Sequence, residues 1–335
     1  MEPRSSSSRR WRRLLAWGVC LEAAVFWADE SHAQYLQSYF PEGVPGYDKD
    51  MGVTVVSRAR PLYEEPGIRV DQFIIRPALN ESIGYNSNVT GLSPAPSSWF
   101  LETAPSVAID SQWSQSRVGA LLSADNFNYF SASNQNLTNA VGSIGGAYTS
   151  GRSSVSLAYS ILLQHELPTD IGAPITTTPV PYVVNDIRSD YTYDFGRLSL
   201  TPNIEFQTYR FGNGSLPTNL TFQNSQSFQN RNVVQGGVTA AYKITDQQNG
   251  VLVLRGINQN FPSTPTGQLT PDSNSAMVLV GVESKYTGTW LYRVLVGAET
   301  RQFKAYPSHT APIIEANAVW TPRGRTTVTG IVRRE

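Results

Sequence analysis

From residue 72 to the end of the chain, segments in which every second residue is bulky and apolar are joined by connections of two sharply different lengths. Around the turn Ser150-Gly151-Arg152, for example, Val155, Leu157, Tyr159 and Ile161 alternate with Ser154, Ser156, Ala158 and Ser160. A period of two is the mark of a β-strand with unlike faces, because successive side chains point to opposite sides of the sheet. Thirteen such strands are expected, at 72–85, 98–112, 117–130, 138–149, 152–165, 183–195, 197–211, 231–244, 250–260, 275–287, 289–303, 311–321 and 325–334. Two are less regular. The apolar phase of 117–130 slips near Phe127, and the run Val251-Leu252-Val253-Leu254 is apolar on both sides.

The connections constrain the fold more than the strands do. Tight turns are expected at 113–117, 150–152, 195–197, 245–250, 286–290 and 321–325, and longer polar loops at 86–98, 131–137, 166–182, 212–230, 261–274 and 304–310. Short and long alternate throughout. A soluble sandwich has no reason to sort its loops by length, whereas a barrel crossing an outer membrane has short periplasmic turns and long external loops. Each tight turn also carries a nearby aromatic: Trp113, Tyr148, Phe195, Tyr242, Trp290 or Trp320. Amphipathic rings favour the level of lipid headgroups, so these six are expected to form an interfacial girdle. The other face of the strands, rich in Gly, Ser, Ala, Thr and Asn, reads as too small and polar for a packed core. The expected fold is therefore an all-β, transmembrane, antiparallel up-and-down barrel of the bacterial outer membrane, apolar face toward lipid.

The strand parity is odd. Single-chain bacterial barrels close with an even number of strands, and this chain ends on "GIVRRE" rather than an aromatic. The expectation is a chain incomplete at its C-terminus, part of a barrel of 14–16 strands. A weak strand miscounted, giving twelve or fourteen, is the alternative.

The N-terminus reads as an export signal over 1–33. Arg4, Arg9, Arg10, Arg12 and Arg13 precede the apolar stretch Leu14 to Trp27, and Ser31-His32-Ala33 offers a cleavage site before Gln34. Cys20, the only cysteine, lies inside that signal, so the mature chain has no disulfide or thiolate metal site. Residues 34–71, with Pro41, Pro45, Pro61 and Pro66, read as a periplasmic extension rather than a strand, leaving 72–335 as the barrel. A plug, a tether to the cell wall and an inner-membrane contact are its open roles, an unstructured lead-in the default.

Formal net charge is zero, from 26 basic and 26 acidic residues, which argues against nucleic acid as a partner. No cofactor and no metal site are expected. His165 and His309 are far apart in the sequence, and His165-Glu166 near Ser160 is a weak hint of an embedded hydrolase beside the simpler reading of a solvated rim histidine. The phase of the strands turns Arg76, Glu102, Asp110, Glu205, Lys243, Arg293, Glu299 and Arg301 toward the lumen. There they would set the local field of a pore, or pair across strands and merely solvate the interior.

The segment "SRARPLYEEPGIRVDQFIIRPALNESIGYNSNV" (57–89) resembles the start of the outer-membrane barrels called putative β-barrel porin 2. The likeness is carried by Arg58, Arg60, Pro61, Tyr63, Gly67, Ile68, Arg69, Gly84, Tyr85, Asn86, Asn88 and Val89, and by the turns "FGRLSL" (195–200) and "VWTPRGRTTV" (319–328). It implies an outer-membrane barrel and brings no particular substrate. The expected function is a porin-like passive channel for small solutes or saccharides. The alternatives are a non-conducting structural or surface-interaction barrel, with 166–182 and 212–230 as its binding face, and a port associated with exopolysaccharide export. Its partners would be outer-membrane lipid and lipopolysaccharide, with the barrel-assembly machinery during biogenesis. A homo-oligomer and a polysaccharide cargo are open on the same reading.

Overall fold

A computed structural model describes residues 44–45, 67–91, 96–170, 173, 176–215, 225–265, 267–287, 290–323 and 326–334. The expected signal, 1–33, lies outside them. Thirteen long strands follow one another in chain order: β2 (Phe73–Asn86), β3 (Ser98–Ser111), β4 (Ser116–Tyr129), β5 (Leu137–Ser150), β6 (Ser153–Glu166), β7 (Val180–Asp194), β8 (Leu198–Phe211), β9 (Arg231–Lys243), β10 (Gln248–Asn260), β11 (Ser273–Thr287), β12 (Trp290–Phe303), β13 (His309–Arg323) and β14 (Thr326–Arg334). Every boundary lies within three residues of the sequence expectation. A short β1 (Ile68–Val70) precedes them and pairs with the start of β2. Those three residues are thus strand, where the sequence reading placed only an extension. Their alternation is too short to register as a period.

All fourteen strands form one antiparallel sheet in the order β1 to β14, each paired with its sequence neighbours. This is an up-and-down meander, the topology of a β-barrel. Among the described residues the ladders end on two edges, β14 on one side and β1 with β2 on the other. No helix among the described residues is long and apolar enough to cross a membrane.

Connections sort by length as expected. Gly151-Arg152 closes the β5–β6 hairpin with Gly151 at φ 58°, and Gly196 at φ 99° lies in the β7–β8 turn. Such left-handed positions match the strand twist and favour glycine. The long loops include two 3-10 turns, Ser133–Gln135 and Ser227–Gln229. Prolines leave their trace in the ladders: the β3–β4 pairing lapses at Ala104-Pro105, and the β7–β8 pairing lapses at Tyr191 and Thr192 opposite Thr201-Pro202. Proline has no N–H to give.

The two faces differ as the period predicts. Along β6, Leu157, Tyr159 and Leu163 are exposed, while Ser156, Ala158, Ser160, Leu162 and Gln164 are buried. Register carries the same division across the sheet. The row Ile144, Tyr159, Ile187, Phe206 and Val234 is exposed; the row Ser143, Ser160 and Asp186 is buried. We call the second face the inner face.

One expectation about that face is corrected. In β4–β8 small and polar residues share it with Leu121, Val141, Leu162, Val184 and Tyr209, and in β10–β13 Val251, Val253, Met277, Leu279, Leu295 and Ile313 form a buried apolar cluster on it. The doubly apolar run resolves here: Val251 and Val253 are buried, Leu252 and Leu254 exposed. The reason is large-against-small packing. Gly281 pairs with Val251 and Leu295, and Gly297 with Leu279 and Ile313. A Cβ on Gly281 would stand 1.8 Å from the Val294 carbonyl oxygen, and one on Gly297 would stand 1.9 Å from that of Val278. The phase slip in β4 has a local cause too, because Phe127 turns inward against Phe100, ring centroids 5.9 Å apart.

Candidate functional site: the inner wall and its long-loop end

All eight charged residues assigned to the lumen from sequence fall on the inner face by register. Arg76 and Asp110 lie on neighbouring strands, whereas Glu299 and Arg301 stand two positions apart on β12. Glu205 pairs with Arg188 and Gln235, Arg293 with Glu283 and Asn317, and Lys243 with Asn249. Glu102 pairs with Ser82, whose hydroxyl donates to its carboxylate at 2.7 Å.

Side-chain geometry divides them. Arg76 makes an ion pair with Asp110. Arg301 donates twice to Glu299 Oε1, at 3.2 and 3.0 Å, and once to Ser275 at 3.1 Å. Lys243 stands at the end of β9 and reaches Asp246 in the following turn at 2.9 Å, which places it at the rim rather than along the wall. That hydrogen bond and the ammonium's charge hold the exposed Asp246 carboxyl below the usual carboxylate range.

The most connected group lies on β7 and β8, and the sequence reading named only part of it. Arg188 grips Asp186 through two hydrogen bonds, 3.0 and 3.1 Å, and bonds Glu205 at 2.9 Å. Gln207 donates to both carboxylates, at 2.7 Å to Asp186 and 2.6 Å to Glu205, and accepts from the Tyr209 hydroxyl at 2.7 Å. The Arg231 guanidinium lies 4.1 Å from the centre of the Tyr209 ring. Asp186 has the same parity as Arg188 and Asp190, so the period of two along β7 turns all three to the inner face. Its side chain is fully buried, and charge-assisted bonds are what make a buried carboxylate tolerable.

Catalytic geometry is not assembled around Ser160. Its hydroxyl is 2.6 Å from that of Ser143, and His165 Nδ1 lies 3.0 Å from Asn139 Oδ1 instead. Among the described residues no three His, Cys, Asp or Glu side chains group as metal ligands.

At the long-loop end, four connections are joined. Gln135 of the β4–β5 loop donates to the Thr177 carbonyl at 2.5 Å. The Thr177 N–H donates to Ser215 O at 2.7 Å, and the Ser215 N–H to Thr178 Oγ1 at 3.0 Å, linking the β6–β7 and β8–β9 loops. A Cβ on Gly91, in the β2–β3 loop, would meet Thr169 Cγ2 at 2.9 Å. Polar loop composition gave no hint of these specific links.

The six aromatics of the tight-turn end are all exposed, from 37% for Trp320 to 57% for Phe195. Trp290 and Trp320 stack at 5.3 Å, Phe195 meets Tyr193 edge-on at 4.6 Å, and Trp113 meets Phe73 edge-on at 5.2 Å. The opposite end has its own exposed rings, Tyr85 and Trp99, 5.4 Å apart.

The family model described as "Putative beta-barrel porin 2" matches residues 60–335. Among solved structures, the chain is similar to the "Translocator domain of autotransporter NalP from Neisseria meningitidis", at 12% identity and TM-score 0.33, covering 73% of this chain and 88% of that one. It is also similar to "the ferric yersiniabactin uptake receptor FyuA from Yersinia pestis" (8%, TM-score 0.37, 78% of this chain and 60% of that one). A third is the "TodX monoaromatic hydrocarbon channel deltaS2 mutant" (11%, TM-score 0.31, 74% and 79%). No curated protein matches the chain significantly.

Proposed function

The chain belongs to the Putative beta-barrel porin 2 family and is an outer-membrane β-barrel protein; from that premise we propose that it is a porin-like passive channel, carrying small polar solutes or saccharides across the outer membrane without chemistry. One observation supports this most: most charged side chains of strands β2 to β13 lie on one face of the sheet, while large apolar residues crowd the exposed other face. Outward apolar bands and a polar interior are the arrangement of a transmembrane barrel. In this reading seven of the inner-face charges line the pore and Lys243 stands at its rim. The exposed aromatics Trp113, Tyr148, Phe195, Tyr242, Trp290 and Trp320 sit at the periplasmic headgroup level. Most of the lining charges are matched by opposite partners, Arg76 with Asp110, Arg188 with Glu205 and Arg301 with Glu299, so selectivity between anions and cations is weak.

Planar-bilayer recording tests the proposal. Stepwise currents with a cation-to-anion permeability ratio within a few-fold of one are expected. Silence from folded protein, with every occluding element removed, contradicts it.

A second reading has its own support. The external loops around Gln135, Thr177 and Ser215 hold one another by hydrogen bonds, and a fixed cap is a surface that a partner can read. A non-conducting surface-interaction barrel would bind through that cap. A port for exopolysaccharide would instead need the cap to open. Loss of ligand binding on replacing Gln135 and Thr177, with conductance absent before and after, would favour the surface reading.

A further inference from the structure

We infer that the chain carries its own plug: the Val44-Pro45 turn, far upstream of the first long strand, is seated in the lumen on a socket formed by β5–β8, and it occludes the passage until it leaves. The occlusion rests on the channel reading above; the seat itself does not.

Three observations carry this. The first is position. Val44 is 4% exposed and belongs to one buried cluster with Ala158, Leu162, Val184 and Tyr209. Leu162, Val184 and Tyr209 form a single register row across β6, β7 and β8, and Ala158 lies two rungs along on the same face. That face is the inner one, because the opposite face of the same strands presents the exposed Leu157, Tyr159, Leu163 and Ile187. The turn therefore lies on the lumen side of the wall.

The second is fit. Gly145 pairs with Ala158 and shares its face. A Cβ on Gly145 would stand 1.9 Å from the Pro45 carbonyl oxygen and 3.1 Å from Val44 Cγ1. Only a residue without a side chain leaves room for the turn to lie that close. Ser143, Ala158 and Ser160 continue the small floor, and Leu162, Val184 and Tyr209 make its apolar rim. Small residues along β5 and β6 thus do more than border a polar pore; they shape a depression that Val44 fills.

The third is dryness. Ser160 and Asp186 are 0% exposed and Ser143 is 5% exposed, although all three point to the inner side. An open aqueous lumen would wet them. Asp186 meets its burial with bonds from Arg188 and Gln207, a provision that a carboxylate in water does not need.

The seat is tested by disulfide trapping in the full-length protein, purified and folded in detergent. Because the one native cysteine lies in the expected signal, Val44→Cys with Ala158→Cys is the sole pair in the mature chain. Oxidation is expected to join the two positions, read as a linked peptide after digestion, and adding Gly145→Leu is expected to lower the yield at least tenfold. Absence of the link, while each single cysteine still reacts with a maleimide, overturns the plug whether or not the protein conducts. Val44→Asp, which leaves the barrel wall untouched, guards against misfolding of Gly145→Leu and should raise maleimide labelling at Ala158→Cys several-fold. Unchanged labelling overturns the seat. Conductance separates the two claims. Reduction of the trapped pair is expected to raise current at least threefold. A link that forms in a protein whose current is the same oxidised and reduced overturns occlusion. A link that forms in a protein silent in every variant, Val44→Asp included, keeps the seat and overturns the channel.

Discussion

Two patches of the inner wall, one on β7 and β8 and one at the centre of β10–β13, face the same way and are built by opposite means. At β7 and β8, Asp186, Arg188, Glu205 and Gln207 are held by a closed set of charge-assisted hydrogen bonds. At β10–β13 the same face is filled by Val251, Val253, Leu279, Leu295 and Ile313, packed over Gly281 and Gly297. The first patch joins polar groups to one another; the second is apolar, and the polar groups of its strands, Glu283, Arg293, Glu299 and Arg301, lie to either side of it. Period two determines which residues face inward in both. What occupies that face is decided separately, strand by strand.

The largest expected effect separates the walls by their tolerance of a lost partner. Arg188→Met leaves Asp186 and Glu205 side by side without their shared cation, and should destabilise the folded barrel by ~3–5 kcal/mol, the scale for breaking a buried pair. Heat-modifiable gel mobility or urea unfolding in detergent reads this. Replacing all three of Asp186, Arg188 and Glu205 by apolar residues of similar volume should recover much of the loss. If Arg188→Met is as stable as the parent, the network is ornamental. On the second wall, Leu279→Ala should cost ~2–5 kcal/mol through the cavity it leaves. Gly297→Ala, forced against the Val278 carbonyl, should cost ~1–3 kcal/mol by overpacking. Equal stability of Gly297→Ala and parent would show that the wall is looser than its 1.9 Å approach implies.

The fold was legible because its signals are local. Alternation along each strand, and the sorting of connections, both survive in a single sequence. Phase turns Asp186 and Arg188 inward as it does Glu205, but phase alone does not say which inward charges will be joined. The apolar inner wall was half-visible in Val251-Leu252-Val253-Leu254, a run that no alternation can phase; only the neighbouring glycines of β11 and β12, brought alongside by register, decide it. Gln135 with Thr177, and Val44 with Gly145, were not legible at all. They join residues far apart in the chain, and nothing in the spacing of either partner points to the other.

A smaller effect bears on the pore. Asp110→Asn, which frees Arg76 on the inner face, should shift permeability toward anions by about two-fold while leaving β10–β13 unaffected. Reversal potential in a salt gradient measures it, and a shift toward cations would place the pair outside the conduction path.

The smallest concerns the loop that leads from β10 to β11. Burial works to raise the Asp272 pKa, but bonds from the Phe261 N–H at 2.7 Å and from Thr270, with Lys304 3.6 Å away, outweigh it and hold the carboxyl below its usual range. A depressed carboxylate contributes stability that is present above its unfolded pKa and lost as pH falls through the folded value. Lys304 is largely exposed, so solvent screening keeps the effect near ~0.2–1 kcal/mol. Asp272→Asn should lower stability at neutral pH and erase that part of the acid dependence. An unchanged acid limb would remove Asp272 from the account.

The claim beneath all of this is that one face of every strand meets hydrocarbon and the other does not. Nitroxide labels placed singly at Val251, Leu252, Val253 and Leu254, in protein reconstituted into lipid, test it where composition gives no guidance. Collision with oxygen, which concentrates in the bilayer, should be frequent at 252 and 254 and suppressed at 251 and 253. Equal collision rates at all four, or the reverse alternation, would contradict the account.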